Sequence, residues 1–204
     1  MFNAPLPHID PIAEGVKAAY PLRASRYIPL MPTAFARIPS PLGELTLAAS
    51  DTALTAVYFP QVPSVHVVER RTGDEGWLED DGSGPAGAVL ARTREQLNEY
   101  FARTRTTFDL PLDPAGSTFE LRVWDALRAI PYATTLTYGE LARRLGDPRA
   151  TRAVGAANSK NPIPIIVPCH RVIGARGELT GFGGGLDRKR WLLEHEGAVL
   201  ALGL

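Results

Sequence analysis

Cysteine is all but missing from this chain: Cys169 is the only one in 204 residues. A single cysteine excludes an intramolecular disulfide, so nothing points to an oxidising compartment. It also excludes a multi-cysteine zinc site, and His8, His66, His170 and His195 show no metal-ligand spacing, so no metal is expected. Long hydrophobic runs are absent as well; none approaches the length needed to span a bilayer, which removes a membrane as partner. The start, Met1-Phe2-Asn3-Ala4-Pro5, lacks the basic residues and apolar stretch of a secretion signal, so a cytoplasmic location is the expectation. An excess of one charge is missing too, with 22 basic against 22 acidic residues.

That balance hides an uneven distribution. Residues 141–192 hold ten basic residues and only three acidic ones, Asp147, Glu178 and Asp187. Residues 1–140 hold 12 basic and 17 acidic residues. An acidic half followed by a basic segment suits a face meant for a polyanion, although a solvated charged surface accounts for the charge equally well.

The chain has room for one large domain or two small ones. Residues 1–35 are proline-rich and aperiodic, an N-terminal extension in which only Ile12–Tyr20 suggests a short helix. From Ala36 to Pro60 the pattern is that of strands, with Ser40-Pro41-Leu42-Gly43 as a hairpin turn before 44–49 and 54–59. Val65–Val68 adds another short element, 79–86 reads as a polar loop, and Ala88–Arg103 has helical spacing. This predicts an N-terminal α+β unit over 36–112, a small antiparallel sheet with a covering helix. Prolines 111 and 114 and Gly116 interrupt the chain before a mainly helical C-terminal unit over 116–204. Ser117/Glu120 and Thr137/Glu140 each have the spacing of a capping box, opening helices to about Leu127 and Leu145. Gly146-Asp147-Pro148 then separates the second from a third helix, Arg149 to about Asn158, in the outline of a helix-turn-helix. That third helix is built of small residues, including Ala150, Thr151 and Gly155, with Arg152 alone at its centre. It suits close groove contact with one inserted side chain, or tight packing on a core; composition does not separate the two.

Cys169 follows an apolar stretch, Ile163-Pro164-Ile165-Ile166-Val167-Pro168, whose prolines forbid a regular helix and disfavour a central strand. A lone thiol in a rigid turn beside His170 has the makings of a nucleophile, since the thiolate is the reactive form and a nearby imidazole or cation eases its formation. The competing reading is a small buried apolar residue.

Tyr138, Arg152, Asn161, Pro168-Cys169-His170-Arg171-Val172 and Trp191-Leu192-Leu193-Glu194-His195-Glu196-Gly197 together resemble the O6-alkylguanine-DNA alkyltransferases, densely over about 117–198 and weakly over 36–110. The resemblance implies an α+β fold with an RNase H-like N-terminal unit and a helix-turn-helix in the C-terminal one. It implies repair of O6-alkylguanine, and of O4-alkylthymine, in double-stranded DNA by a monomer that flips out the base and transfers its alkyl group irreversibly to cysteine. No cofactor is needed, because protein sulfur is the acceptor. By this likeness Cys169 is the acceptor, His170 the base acting through a water, and Glu196 the carboxylate that orients it. Tyr138 donates a proton to the purine and helps rotate the phosphate. Arg152 fills the gap in the base stack, with Ala150, Thr151, Gly155 and Lys160 also at the DNA, and Asn161 bridges the helix-turn-helix to the active turn. Asn158, Val172, Phe182 and Gly183 belong to the substrate pocket, whose other wall is the glycine-rich stretch 179–185. Two positions depart from common family residues: Gly183 stands where some members carry serine, and Phe182 where tyrosine is common.

Other readings compete. Alkyltransferase-like proteins that bind damage without repairing it replace the acceptor cysteine, which is intact here. A cysteine hydrolase would need a base that adjacent residues rarely supply in hydrogen-bonding geometry. In a plain DNA-binding module, Cys169 would only be packed.

Overall fold

The computed structural model describes residues 34–60 and 78–198. The expected helix Ile12–Tyr20 and the element Val65–Val68 lie outside the described residues. The first strand, β1 (Ala34–Ile38), begins inside the segment assigned to the extension. It pairs antiparallel with β2 (Leu45–Ala49), from Ala34 opposite Ala49 to Ile38 opposite Leu45. The turn between them closes through Gly43 N–H to Ser40 C=O at 3.1 Å. Gly43 has φ +95°, which a side chain would resist. β3 (Leu54–Tyr58) pairs antiparallel with β2. The short β4 (Leu78–Glu79) pairs parallel with β1, so the sheet order is β3-β2-β1-β4.

The sheet's main face carries Leu45, Leu47 and Val57 into the large core, where Leu90, Leu97 and Tyr100 of α1 (Gly84–Phe101) meet them. The opposite face buries a small separate cluster of Phe35, Ala48 and Ala56 under Tyr58. Helix α1 starts four residues before the expected Ala88, because Pro85 sits in the first turn, where its missing N–H costs nothing. Of the expected loop 79–86, Glu79 is therefore strand and 84–86 are helix.

Beyond the linker, both capping boxes form: Ser117 with Glu120 at α2 (Thr118–Arg128), and Thr137 with Glu140 at α3 (Tyr138–Arg144). Gly146, at φ +88°, breaks the chain after α3. The Asp147 side chain accepts from the Arg149 N–H, a 3-10 turn covers Pro148–Ala150, and α4 runs Thr151–Ser159. Trp124 of α2 donates its indole N–H to the Ala157 carbonyl at 2.9 Å, tying α4 down. A two-stranded parallel sheet, β5 (Leu136–Thr137) with β6 (Val172–Ile173), is an element that no local pattern announces. The last helix, α5 (Leu186–Glu196), ends at Gly197 in the left-handed conformation, φ 73°. One buried cluster runs through both units, from Leu47 and Leu97 to Leu127, Val167 and Leu192. The units are also joined by the Val57 N–H to Pro162 C=O bond at 2.8 Å. Among the described residues no helix is long and apolar enough to cross a membrane.

Candidate active site

The segment leading to Cys169 is a strained turn. Buried Ile165 has φ 74°, a conformation a β-branched residue adopts at a cost of about 1–3 kcal/mol. The surroundings hold it there. Asn161 donates its side-chain N–H to Val167 C=O at 2.7 Å and accepts from Ile163 N–H at 3.0 Å. The chain then turns through a single 3-10 turn, Cys169–Arg171. Cys169 is 3% exposed and lines a cavity of about 370 Å³, within the range of small-molecule pockets. Asn158, Asn161, Lys160, Phe182, Gly183 and Gly184 share that lining.

Behind Cys169 lies a closed set of charges. His170 Nε2 is 2.8 Å from Glu196 Oε1, both side chains being fully buried. Arg171 grips the same carboxylate with two N–H groups, each at 2.9 Å, and donates a third bond to Ile130 C=O at 2.6 Å. Tyr100, from α1, donates its hydroxyl to Glu196 Oε1 at 2.8 Å, and the Ala133 N–H reaches Oε2 at 3.3 Å. Burial works against a charged Glu196, but the bonds from His170 and Arg171 outweigh it and hold the carboxyl down at about 2. Burial also keeps the His170 pKa below its usual 6.5, against the pull of Glu196. An ionised Glu196 only accepts, so His170 Nε2 carries the hydrogen and Nδ1 is left as the lone-pair nitrogen. Nδ1 is buried and has no hydrogen-bond partner among the described residues, free to take a proton.

Burial pushes the Cys169 thiol up to about 11. The Asn161 side chain and the charge of Lys189 pull the other way. Lys189 is fully buried in α5 and donates to Val172 C=O and Thr180 C=O, each at 2.6 Å; its Nζ lies 5.8 Å from the Tyr138 ring centre. Burial lowers its pKa to about 8, so the cation is held at a cost that a developing thiolate would offset.

Two groups expected at the purine, Val172 and Tyr138, sit differently. Val172 is fully buried and outside the cavity lining, with its carbonyl bonded to Lys189. Tyr138 is also outside the lining. Its hydroxyl is within donating distance of Thr180 C=O (3.1 Å) and Gly181 C=O (3.2 Å), and receives a bond from the Asn158 amide at 3.4 Å. A purine would have to take the place of those carbonyls as the acceptor for Tyr138. Asn158 spans the site, its amide also reaching Cys169 C=O at 3.4 Å.

On the outer surface, Arg152 is exposed on α4 beside half-buried Ala150, Thr151 and Gly155, and exposed Arg143, Arg144 and Arg149 flank it. Lys160 stands at the cavity rim but is paired with Glu120 at 2.9 Å.

Sequence reasoning missed Tyr100, Lys189 and the part played by Arg171. Lys189 left a trace: it lies three and four residues before Leu192 and Leu193, on the apolar stripe of its helix. Tyr100 left none, being 96 residues from the carboxylate it holds.

Comparison with known proteins bears on this geometry. Residues 118–198 match the family described as "6-O-methylguanine DNA methyltransferase, DNA binding domain", and residues 34–114 match its "ribonuclease-like domain". A methylated-DNA–protein-cysteine methyltransferase of Mycolicibacterium paratuberculosis is 52% identical over 159 residues, 78% of this chain and 89% of that protein. One from Shigella flexneri is 42% identical over 168 residues, 80% of this chain and 95% of the other. A crystal structure of Mycobacterium tuberculosis OGT in complex with DNA superposes with a TM-score of 0.70 at 47% identity, covering 82% of this chain and 96% of that one.

Proposed function

The chain belongs to the 6-O-methylguanine DNA methyltransferase family, and we propose that it repairs alkylated guanine in double-stranded DNA by moving the alkyl group onto Cys169. The observation that carries this reading is the cavity-lining thiol of Cys169 immediately ahead of the buried His170–Glu196 pair. His170 Nδ1 takes the thiol proton through a water, and Glu196 stabilises the imidazolium that results. The thiolate, favoured by the Lys189 charge and the Asn161 amide, attacks the alkyl carbon. An S–C bond forms, the C–O6 bond breaks, and the electron pair passes to the guanine ring. Tyr138 donates a proton to a ring nitrogen and is reprotonated by the proton that left sulfur. The products are a thioether and unmodified guanine. The thioether has no route back to thiol within this chemistry, so each molecule acts once.

The base reaches the thiol only when extruded from the duplex, which costs a few kcal/mol. Exposed Arg152 on α4 fills the vacated stack, and the small residues Ala150, Thr151 and Gly155 let the helix backbone approach the groove. Lys160 is freed for phosphate if its pair with Glu120 opens. In this division of labour the unit over 36–112 is the scaffold and the unit over 116–204 binds DNA and carries the chemistry, at a cytoplasmic location. Intact mass measurement after mixing with a duplex containing O6-methylguanine tests the proposal. The expected result is a gain of one methyl group on Cys169, and none in Cys169→Ser. Methyl gain persisting in Cys169→Ser would overturn it.

A further inference from the structure

The cavity in front of Cys169 has a wall that the C-terminal unit does not supply. The end of β3 and the residue after it, Val57–Phe59, line it together with Pro162, Pro164 and Phe182. Of these residues, Tyr58 packs on the far face of the sheet, with Phe35, Ala48 and Ala56. Phe59 turns toward the site: it is 4% exposed and its ring centre lies 5.8 Å from that of Phe182, the planes inclined by 58°.

Phe59 is held in place. Arg188 of α5 sets its guanidinium 5.4 Å from the ring centre. The same guanidinium donates to Leu42 C=O at 3.2 Å, Pro60 C=O at 3.2 Å and Gly184 C=O at 2.9 Å. It therefore ties the hairpin turn and strand end of one unit to the glycine-rich loop of the other. A Cβ at Gly184 would stand 2.7 Å from both the Phe59 and the Phe182 rings, so glycine there is what lets the two rings close on the loop.

We propose that Phe59 is a specificity-determining residue that receives the distal part of alkyl groups larger than methyl and favours flat aromatic ones such as benzyl. This rests on the transfer reaction proposed above. A methyl group is a single carbon, bonded to sulfur as it reacts, and extends no further. A benzyl group carries a ring beyond the reacting carbon; Phe59 and Phe182 offer that ring the tilted aromatic contacts it prefers, and Pro164 an apolar face. A contact that only the larger substrate makes changes the ratio of the two rates and not the common chemistry; in apolar pockets such contacts are worth about tenfold or more.

The test is single-turnover transfer to Cys169, followed by intact mass, from duplexes carrying O6-methylguanine or O6-benzylguanine. Native protein is compared with Phe59→Leu and Phe59→Ala. The benzyl-to-methyl rate ratio is expected to fall about tenfold in Phe59→Ala and by less in Phe59→Leu. Loss of folded protein lowers both rates together, so an unchanged ratio overturns the proposal even when both rates drop, as does a ratio that rises. If the native protein transfers neither group, the proposed function itself fails; methyl transfer with an unchanged ratio leaves that function standing and removes only the role of Phe59.

Discussion

The wall behind Cys169 and the wall in front of it are built on opposite principles. Behind it, His170, Arg171, Glu196 and Tyr100 are buried, and the carboxylate at their centre is hydrogen-bonded on both oxygens. In front, Phe59, Phe182 and the glycines at 183 and 184 offer apolar faces and backbone. A proton-handling device in a dry interior tolerates no missing partner, because a buried charge left alone costs several kcal/mol. A surface that must admit bases carrying different substituents gains from having few polar demands. The difference predicts that substitutions behind the thiol act on stability and on every substrate, whereas those at the aromatic faces in front act on selectivity.

Glu196→Gln is the largest break in that contrast. The neutral amide leaves Arg171 buried without its counter-charge, at a cost of about 3–5 kcal/mol of stability in denaturant unfolding. It also removes the group that stabilises the imidazolium, so methyl and benzyl transfer should slow alike, by at least about a hundredfold. A variant that keeps the native rate would show the carboxylate to be structural only.

Tyr100→Phe is a milder probe of the same wall, removing one hydroxyl bonded to a charged group, worth about 1.5–3 kcal/mol. Its pH dependence separates positioning from packing. The base must be neutral, so the native transfer rate should rise with pH through the His170 pKa, which burial places below 6.5. Tyr100 and His170 share Oε1 of Glu196. Without Tyr100 that oxygen offers more charge to the imidazole, and the rising limb should move to higher pH. The carboxyl, held at about 2 against an ordinary 4.5, contributes stability that is complete above 4.5 and is lost as pH falls through 2. With a weaker clamp the variant should begin acid unfolding at a higher pH than the native protein. An unshifted rate profile would reduce Tyr100 to a packing residue.

Legibility in the sequence follows the same division between local and distant. Ser117 with Glu120 and Thr137 with Glu140 could be read because each box closes within one turn. The His170–Glu196 pair is legible only through family likeness, although Gly197 marks the end of the helix that carries Glu196. What escaped depends on tertiary folding. Nothing near Tyr100 signals a carboxylate 96 residues away, and nothing near Lys160 signals its pairing with Glu120. Propensity places no isoleucine in the left-handed region, yet Ile165 is held there by the bonds of Asn161 and the packed core around it. The family likeness puts Val172 in the pocket and the Tyr138 hydroxyl at the purine, but the hydroxyl of Tyr138 is engaged with the 180–181 backbone and the carbonyl of Val172 with Lys189. The sequence could not show how that loop folds back.

The front wall yields the smallest expected effect, at Gly183. Its φ is not in the left-handed region, so a side chain brings no backbone strain. A Cβ there would stand 3.3 Å from the Ser159 carbonyl, close enough to require a shift of a few tenths of an ångström. Gly183→Ser, the residue some family members carry, should therefore change stability by no more than about 0.5 kcal/mol, as surface substitutions usually do. Its hydroxyl would stand on the cavity wall as a donor available to the guanine oxygen as that atom gains charge, which should raise the rate by a few-fold. Because the oxygen is common to all O6-alkylguanines, methyl and benzyl transfer should rise together and leave their ratio as it was. A change in the ratio instead, with little change in the methyl rate, would mean that residue 183 meets the alkyl group and that the selective wall extends beyond Phe59.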